Sequence, residues 1–297
     1  MNQDHPEGPA RRAAPFLLLI SLAACGASPA SIAETQTATA PSGDTSSPFD
    51  VATGDVTAAL AGDHRTEAER ARDVHRHPAE TLAFFGFDPA MTVVEIWPGG
   101  GWYTKVLAPA LRDHGTLIAA TLDPTDSSFR GRFGREFRSV LEEHPELYDQ
   151  VQARVLFPTN FMAEVEDGSV DLVLSFRSVH NWIRWEGHTP QPYFAAIARV
   201  LRPGGTFGIV QHRAPDGLEH GDDGTIGYVT EQLVIRLAEE AGLRLDERSQ
   251  LNANPADPHD HAEGVWSLPP VLRGGPDAAL VAIGESDRMT LRFVKPQ

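Results

Sequence analysis

The sequence predicts a doubly wound α/β fold: a mostly parallel seven-stranded sheet, helices on both faces and extra helices ahead of the first strand. Three observations predict it. Strand-length apolar runs alternate with amphipathic helical stretches from residue 92 to near the C-terminus. The run at 170–176 is apolar on both sides, as a central parallel strand requires. The first run, 92–97, carries Glu95 near its tip and leads into Trp97-Pro98-Gly99-Gly100-Gly101. Glycines let backbone approach a ligand, and the next helix offers its free N–H groups there.

Each element follows from local pattern. Residues 66–76 read as a charged helix, Pro78 opens a second through Phe85, and Gly86 stops it. Strand one is 92–97. Its helix, 103–111, places Val106, Leu107, Ala110 and Leu111 on one face. Strand two is 116–122, and 129–143 is a helix with Phe133, Phe137, Val140 and Leu141 aligned. Strand three is 152–157 and strand four 170–176. The helix 193–201 turns Phe194, Ile197 and Leu201 inward, Pro203-Gly204-Gly205 turns the chain, and strand five is 206–211. The helix 230–241 ends at Gly242, followed by strand six at 243–248 and a last strand at 289–294. Strand–helix alternation of this length implies right-handed crossovers.

Ahead of the domain, Arg11-Arg12 precede a short apolar run ending in Leu22-Ala23-Ala24-Cys25. The run is too short to span a bilayer and fits the core of an export signal. Residues 26–48, rich in Ser, Thr, Ala and Pro, lack the apolar side chains to offset ordering entropy. The expected organisation is a signal at 1–24, a tether at 25–48 and one domain at 49–297. The signal's end resembles a bacterial lipoprotein cleavage box. That resemblance implies cleavage before Cys25, a lipid on its sulfur as the sole membrane attachment and, with Gly26 next, the outer membrane facing the periplasm.

The 297 residues suit one large domain or two small ones. Cys25 is the only cysteine, which excludes a disulfide, a thiolate metal site and a cysteine nucleophile from the folded part. The net charge of −16 argues against nucleic acid, since phosphate backbones would be repelled. A small or cationic partner fits better, and solubility alone also accounts for the acidity.

Three stretches now stand in a recognisable order: 93–103, then Glu166-Asp167-Gly168-Ser169-Val170-Asp171-Leu172-Val173-Leu174, then Leu201-Arg202-Pro203-Gly204-Gly205-Thr206-Phe207. Over residues 66–297 the chain resembles the class I S-adenosylmethionine-dependent methyltransferases, and its Pro98-Gly99-Gly100-Gly101-Trp102-Tyr103 loop is similar to a bacterial branch of predicted methyltransferases of unknown substrate. The resemblance implies S-adenosylmethionine as cofactor, a small-molecule acceptor and the Rossmann-like methyltransferase fold, whose reversed last strand falls on 289–294. It assigns cofactor contacts to Glu95, Gly99, Gly100, Gly101 and Asp123. Trp97 stands at the first motif glycine, which implies that the loop follows another path. The ribose-gripping acid falls on Thr121, with Asp123 two residues later, and the adenine-side acid falls on Asn160.

Methyl transfer is an in-line displacement in which positioning dominates, with a proton removed from some acceptors. The segment after strand four, Arg177-Ser178-Val179-His180-Asn181-Trp182, falls at the switch in strand order where open α/β sheets bind ligands. His180 is the candidate base, titrating near neutral pH, or else a hydrogen-bonded structural histidine. Asn181 is placed to orient the acceptor. Trp182 would cap an apolar substrate or face the sulfonium, or belong to the core. His212 and Arg213 follow strand five, with Arg213 a candidate for a substrate anion or an exposed turn residue. His259, His261 and Glu263 with Asp257 and Asp260, and His220 with Asp222 and Asp223, read as solvated loop residues before they read as a metal site. Arg70, Asp73 and Arg76 share a helix face, as a lid or, more simply, as a wetted face. The leading function is methylation of a small molecule. The alternative is a lipid-anchored ligand-binding module that has lost catalysis, and a metal-dependent hydrolase has only scattered histidines behind it.

Overall fold

The computed structural model describes residues 56–155, 162–184 and 189–297. The expected signal and tether, Asn160 and the end of predicted strand three lie outside these residues.

Strands and helices alternate as the hydrophobic pattern requires. The elements are α1 (Glu67–Arg70), α2 (Asp73–Arg76), α3 (Pro78–Phe84), β1 (Thr92–Ile96), α4 (Thr104–Leu111), β2 (Thr116–Thr121), α5 (Phe129–Glu143), α6 (Pro145–Tyr148) and β3 (Gln152–Val155). Then come β4 (Val170–Phe176), α7 (Val179–Arg184), α8 (Gln191–Val200), β5 (Leu201–Ala214), β6 (Val229–Thr230), α9 (Glu231–Glu240), β7 (Arg244–Ser249), a 3₁₀ turn (Gly264–Ser267), α10 (Ala278–Ile283) and β8 (Arg288–Val294).

The sheet runs β3-β2-β1-β4-β5-β8-β7. All pairs are parallel except those of β8, which is antiparallel to both β5 and β7. The reversed last strand is therefore where the sequence placed it. The two-residue β6, which pairs with the end of β5, makes an eighth strand that no periodicity announced. Strand order reverses between β1 and β4, and the crevice at their carboxyl ends is the expected ligand position.

The period-two alternation of β1 splits the core. Val94 and Ile96 pack on one face of the sheet with Val173 and Ile197, while Val93 packs on the other with Leu107 and Leu172. Glu95 shares the face of Val93 and sits at the last turn of the strand, so only its tip position spares it from the core proper.

Two differences from the predicted elements matter for the site. The helix expected over 66–76 is broken into α1 and α2. Thr66 caps α1 through a capping box with Glu69, and α2 ends at His77 in a left-handed conformation. The break carries Arg72 and Arg76 inward rather than along a wetted face. The Pro203-Gly204-Gly205 turn lies inside β5 as a bulge: Leu201 pairs with Val170 and Thr206 pairs with Leu172, so four residues of β5 oppose one of β4. No described helix is long and apolar enough to cross a membrane.

Candidate active site

A cavity of about 570 Å³ opens at the carboxyl ends of β1, β2, β4 and β5. That volume lies within the range of small-molecule sites.

The strand tip delivers Glu95. Hydrogen-bonded neighbours on both sides, Ala119 of β2 and Leu174 of β4, hold its backbone. Its side chain is buried, and Thr104 at the start of α4 donates from Oγ1 to Oε2 at 2.5 Å. Burial pushes the carboxyl up to about 7, and the Thr104 hydrogen bond opposes the rise only in part.

The turn after β1 has two halves with different work. Gly99 has φ 58°, and neither at Gly99 nor at Gly100 would a Cβ meet an atom within 4 Å, so both border open space. Both line the cavity. Gly101, φ 73°, is different: a Cβ there would lie 2.9 Å from Val140 Cγ1 on α5, and the residue does not line the cavity. Its glycine serves helix packing rather than a ligand. Trp97 takes φ 51°, the left-handed conformation expected of the glycine it replaces. The strained backbone is tolerated because the indole packs edge-on against Trp182 and Tyr193, and the backbone N–H of Trp97 donates to the Ala120 carbonyl at 2.9 Å.

At the end of β2, Thr121 and Leu122 line the cavity. Asp123 does not. Its carboxylate accepts from the Thr125 N–H and hydroxyl at 2.8 and 2.7 Å, closing a local turn. Beyond β4, Phe176 stacks on Tyr103 with ring centroids 3.5 Å apart, forming an aromatic wall.

His180 and Asn181 both line the cavity. His180 is buried, and the Gln211 amide donates to its Nδ1 at 3.2 Å. In the neutral ring the proton therefore sits on Nε2. Burial, then the nearby Arg184, lower its pKa to about 3. In place of the expected near-neutral base, His180 is the hydrogen-bonded histidine of the alternative reading, neutral near pH 7 with its N–H free to donate. Trp182 is core, stacked on Tyr193 at 4.8 Å and absent from the cavity wall.

His212 and Arg213 lie within β5 rather than after it. His212 is buried against Ser286, with Nδ1 2.5 Å from Oγ, and burial holds its pKa well below the usual range. Arg213 is neither a substrate clamp nor a free turn residue: Asp287 receives both its Nε and Nη2 at 2.8 Å. His259 and His261 are tied to Asp287 and Asp257, and among the described residues no three His, Cys, Asp or Glu side chains converge as a metal site.

Sequence reasoning missed the arginines. Arg72, Arg76, Arg132, Arg177, Arg184 and Arg273 line the cavity of a protein whose net charge is −16. Overall acidity therefore misdescribes the site, part of whose wall presents guanidinium groups suited to an anion. The residues come from five separate segments, so only the Arg72/Arg76 spacing was available as a signal.

Residues 95–209 match the family described as a methyltransferase domain. No curated protein matches this sequence. Among solved structures, a SAM-dependent methyltransferase from Aquifex aeolicus superposes with TM-score 0.50 at 15% identity, covering 84% of this chain and 100% of its own. A geranyl diphosphate methyltransferase, solved in complex with GPP and sinefungin, does so with TM-score 0.50 at 17% identity, covering 85% and 96%. At such identities the likeness is one of fold.

Proposed function

We propose that this protein is an S-adenosylmethionine-dependent methyltransferase acting on a small molecule. The observation that carries the reading is the open turn at Gly99 and Gly100 beside buried Glu95, inside a cavity at the switch point of a sheet whose residues 95–209 match a methyltransferase domain.

The residues present fit the cofactor. A Cβ-free surface at Gly99 and Gly100 admits close approach, and Glu95 offers a carboxyl poised between its two charge states near neutral pH. Thr121 offers a hydroxyl at the position where related folds carry an acid. When bound, the cofactor supplies an electrophilic methyl group on a sulfonium. Glu95, held by Thr104, would bind the cofactor's polar end. Tyr103 and Phe176 would exclude water, and a cation facing their rings gains electrostatically. His180 Nε2–H and the Asn181 amide would orient the acceptor. With the Nδ1 lone pair of His180 engaged by Gln211 and its low pKa making it a weak base, the site favours positioning over proton abstraction, and hence an acceptor that is nucleophilic without a strong base.

The order of Arg11-Arg12, apolar run and Leu22-Ala23-Ala24-Cys25 supports export with a lipid on Cys25. Radiolabelled palmitate should be incorporated by the full chain and not by Cys25→Ser; equal labelling removes this assignment.

Calorimetry of the protein with S-adenosylmethionine and S-adenosylhomocysteine tests the central reading. Binding is expected, and it should weaken at least tenfold in Glu95→Ala. No binding at millimolar ligand overturns the reading. Binding without turnover on any acceptor panel would favour the ligand-binding module.

A further inference from the structure

The cavity wall carries far more positive charge than its own acids balance. Its acidic members among the described residues are Glu69, Glu95 and Glu285. Glu69 pairs with Lys105 at 3.1 Å, and Glu95 is partly protonated near neutral pH. That leaves Glu285, which is buried and shared among Arg72 Nε at 2.6 Å, Arg288 Nη2 at 3.0 Å and Arg76 Nε at 3.3 Å. Arg177 is close enough to act on this group electrostatically, yet among the described residues it makes no side-chain hydrogen bond or ion pair of its own. Four guanidinium groups thus stand around one carboxylate. Asp287, the next acid along, is already engaged by Arg213.

Two further observations show that the cluster is incomplete. The Nη2 atoms of Arg72 and Arg76 are buried with no hydrogen-bond partner among the described residues, and Arg76 as a whole is only 3% exposed. The Arg76 guanidinium carbon lies 4.5 Å from the Trp102 ring centroid, a contact that softens its burial without satisfying its donors. Arg177 holds a left-handed backbone, φ 59°, fixed by its N–H donating to the Val210 carbonyl at 2.7 Å. A strained residue with an unpaired charge at the wall of a cavity is a device for holding a ligand. The neighbouring titratable groups do not relieve the excess: His180 and His212 stay neutral, and Tyr103 is pushed up to about 12 by burial. Burial and mutual repulsion in turn lower Arg76 well below its ordinary range and Arg177 to about 10, as expected of cations lacking their anion.

We propose that the methyl acceptor carries an oxyanion, a phosphate or a carboxylate, that docks against Arg76 and Arg177 with Arg72 beside them. Planar guanidinium forks suit such groups because two parallel N–H donors meet two oxygens. The proposal rests on the methyltransferase reading. Its rival within that reading is that the cluster receives the carboxylate of the cofactor itself.

Isothermal titration with inorganic phosphate, and with acetate in parallel, separates these. Both are run at fixed ionic strength on the protein alone and on the protein saturated with S-adenosylhomocysteine. The expected result is oxyanion binding to the saturated protein at low millimolar concentration or tighter. It should weaken at least tenfold in Arg177→Gln and in the partly exposed Arg72→Gln, with S-adenosylhomocysteine affinity changed less than twofold. No oxyanion binding to the saturated protein, displacement of phosphate by S-adenosylhomocysteine, or equal binding by both variants overturns the proposal. Should S-adenosylhomocysteine not bind at all, it is the methyltransferase reading that fails, and the ligand-free titrations with the same variants still decide the oxyanion site.

Discussion

Trp97 meets Trp182 edge to face, with ring centroids 6.2 Å apart and planes at 84°. The contact sets the largest side chain at a position whose backbone favours the smallest one. A left-handed non-glycine residue costs about 1–2 kcal/mol. Removing a well-packed tryptophan costs about 3–5 kcal/mol, less here because Trp97 is only half-buried and borders the cavity. Packing outweighs strain, so Trp97→Gly should destabilise the protein by about 1–2 kcal/mol in denaturant unfolding. Trp97→Ala, which keeps the strain and loses the packing, should cost more. A Trp97→Gly protein more stable than the parent would show that the aromatic cluster contributes less than the backbone strain.

Gly99 and Gly101 separate ligand approach from packing. At Gly99 a side chain would meet open cavity, so Gly99→Ala should cost about 1 kcal/mol of stability for its positive φ and weaken S-adenosylhomocysteine binding tenfold or more. At Gly101 the new Cβ would press on Val140 at 2.9 Å, so Gly101→Ala should destabilise by about 2 kcal/mol and leave affinity within a few-fold. Thermal denaturation and calorimetry on both variants check the pair; similar losses of affinity in the two would erase the distinction.

Glu95 predicts a pH signature. Its folded-state carboxyl titrates at about 7, above its ordinary value, so the folded state holds a proton that the unfolded chain releases. That contribution to stability is present below about pH 4.5 and disappears as pH rises to about 7. In Glu95→Gln it is absent. The variant should therefore gain stability relative to the parent as pH rises through this window, by about 1.4 kcal/mol per unit of pKa difference. A constant difference from pH 4 to 8, measured by urea unfolding, would mean that Glu95 titrates normally.

The order of the elements was legible because each strand and helix carries its own period, and the reversed last strand followed from the family resemblance. That Glu95, Gly99, Gly100, His180 and Asn181 border the cavity was legible because they stand at or just beyond strand ends, where sequence position alone implies nearness to the crevice. What failed was what depends on distant neighbours. The spacing of Asp123 did not reveal that Thr125 would occupy its carboxylate. The chemistry of His180 is set by burial and by Gln211, thirty-one residues away. The arginine cluster joins Arg72 and Arg76 to Glu285 across more than two hundred residues, a relation that no local pattern carries.

The two buried histidines give the last prediction. The unfolded chain protonates each near pH 6.5, while in the folded protein His180 resists until about 3 and His212 also lies well below its ordinary range. Their neutral burial is thus without cost above about pH 6.5 and becomes increasingly unfavourable as pH falls. Each contributes a slope of up to about 1.4 kcal/mol per pH unit. Glu95 opposes one of them between about pH 4.5 and 7, because there the folded state holds the extra proton. Glu95 thus offsets His180 over this interval, and the fall in stability that remains as pH drops below 6.5 comes from His212. His180→Gln keeps an amide donor in place of Nε2–H and should lower the slope of this fall by about 1.4 kcal/mol per pH unit between pH 4.5 and 6.5, whereas Glu95→Gln should steepen it by about the same amount. Carbon-detected NMR of the imidazoles should show the His180 ring neutral at pH 5. A His180 signal titrating near 6.5 would return it to the role of proton acceptor and remove the case for an acceptor that needs no base.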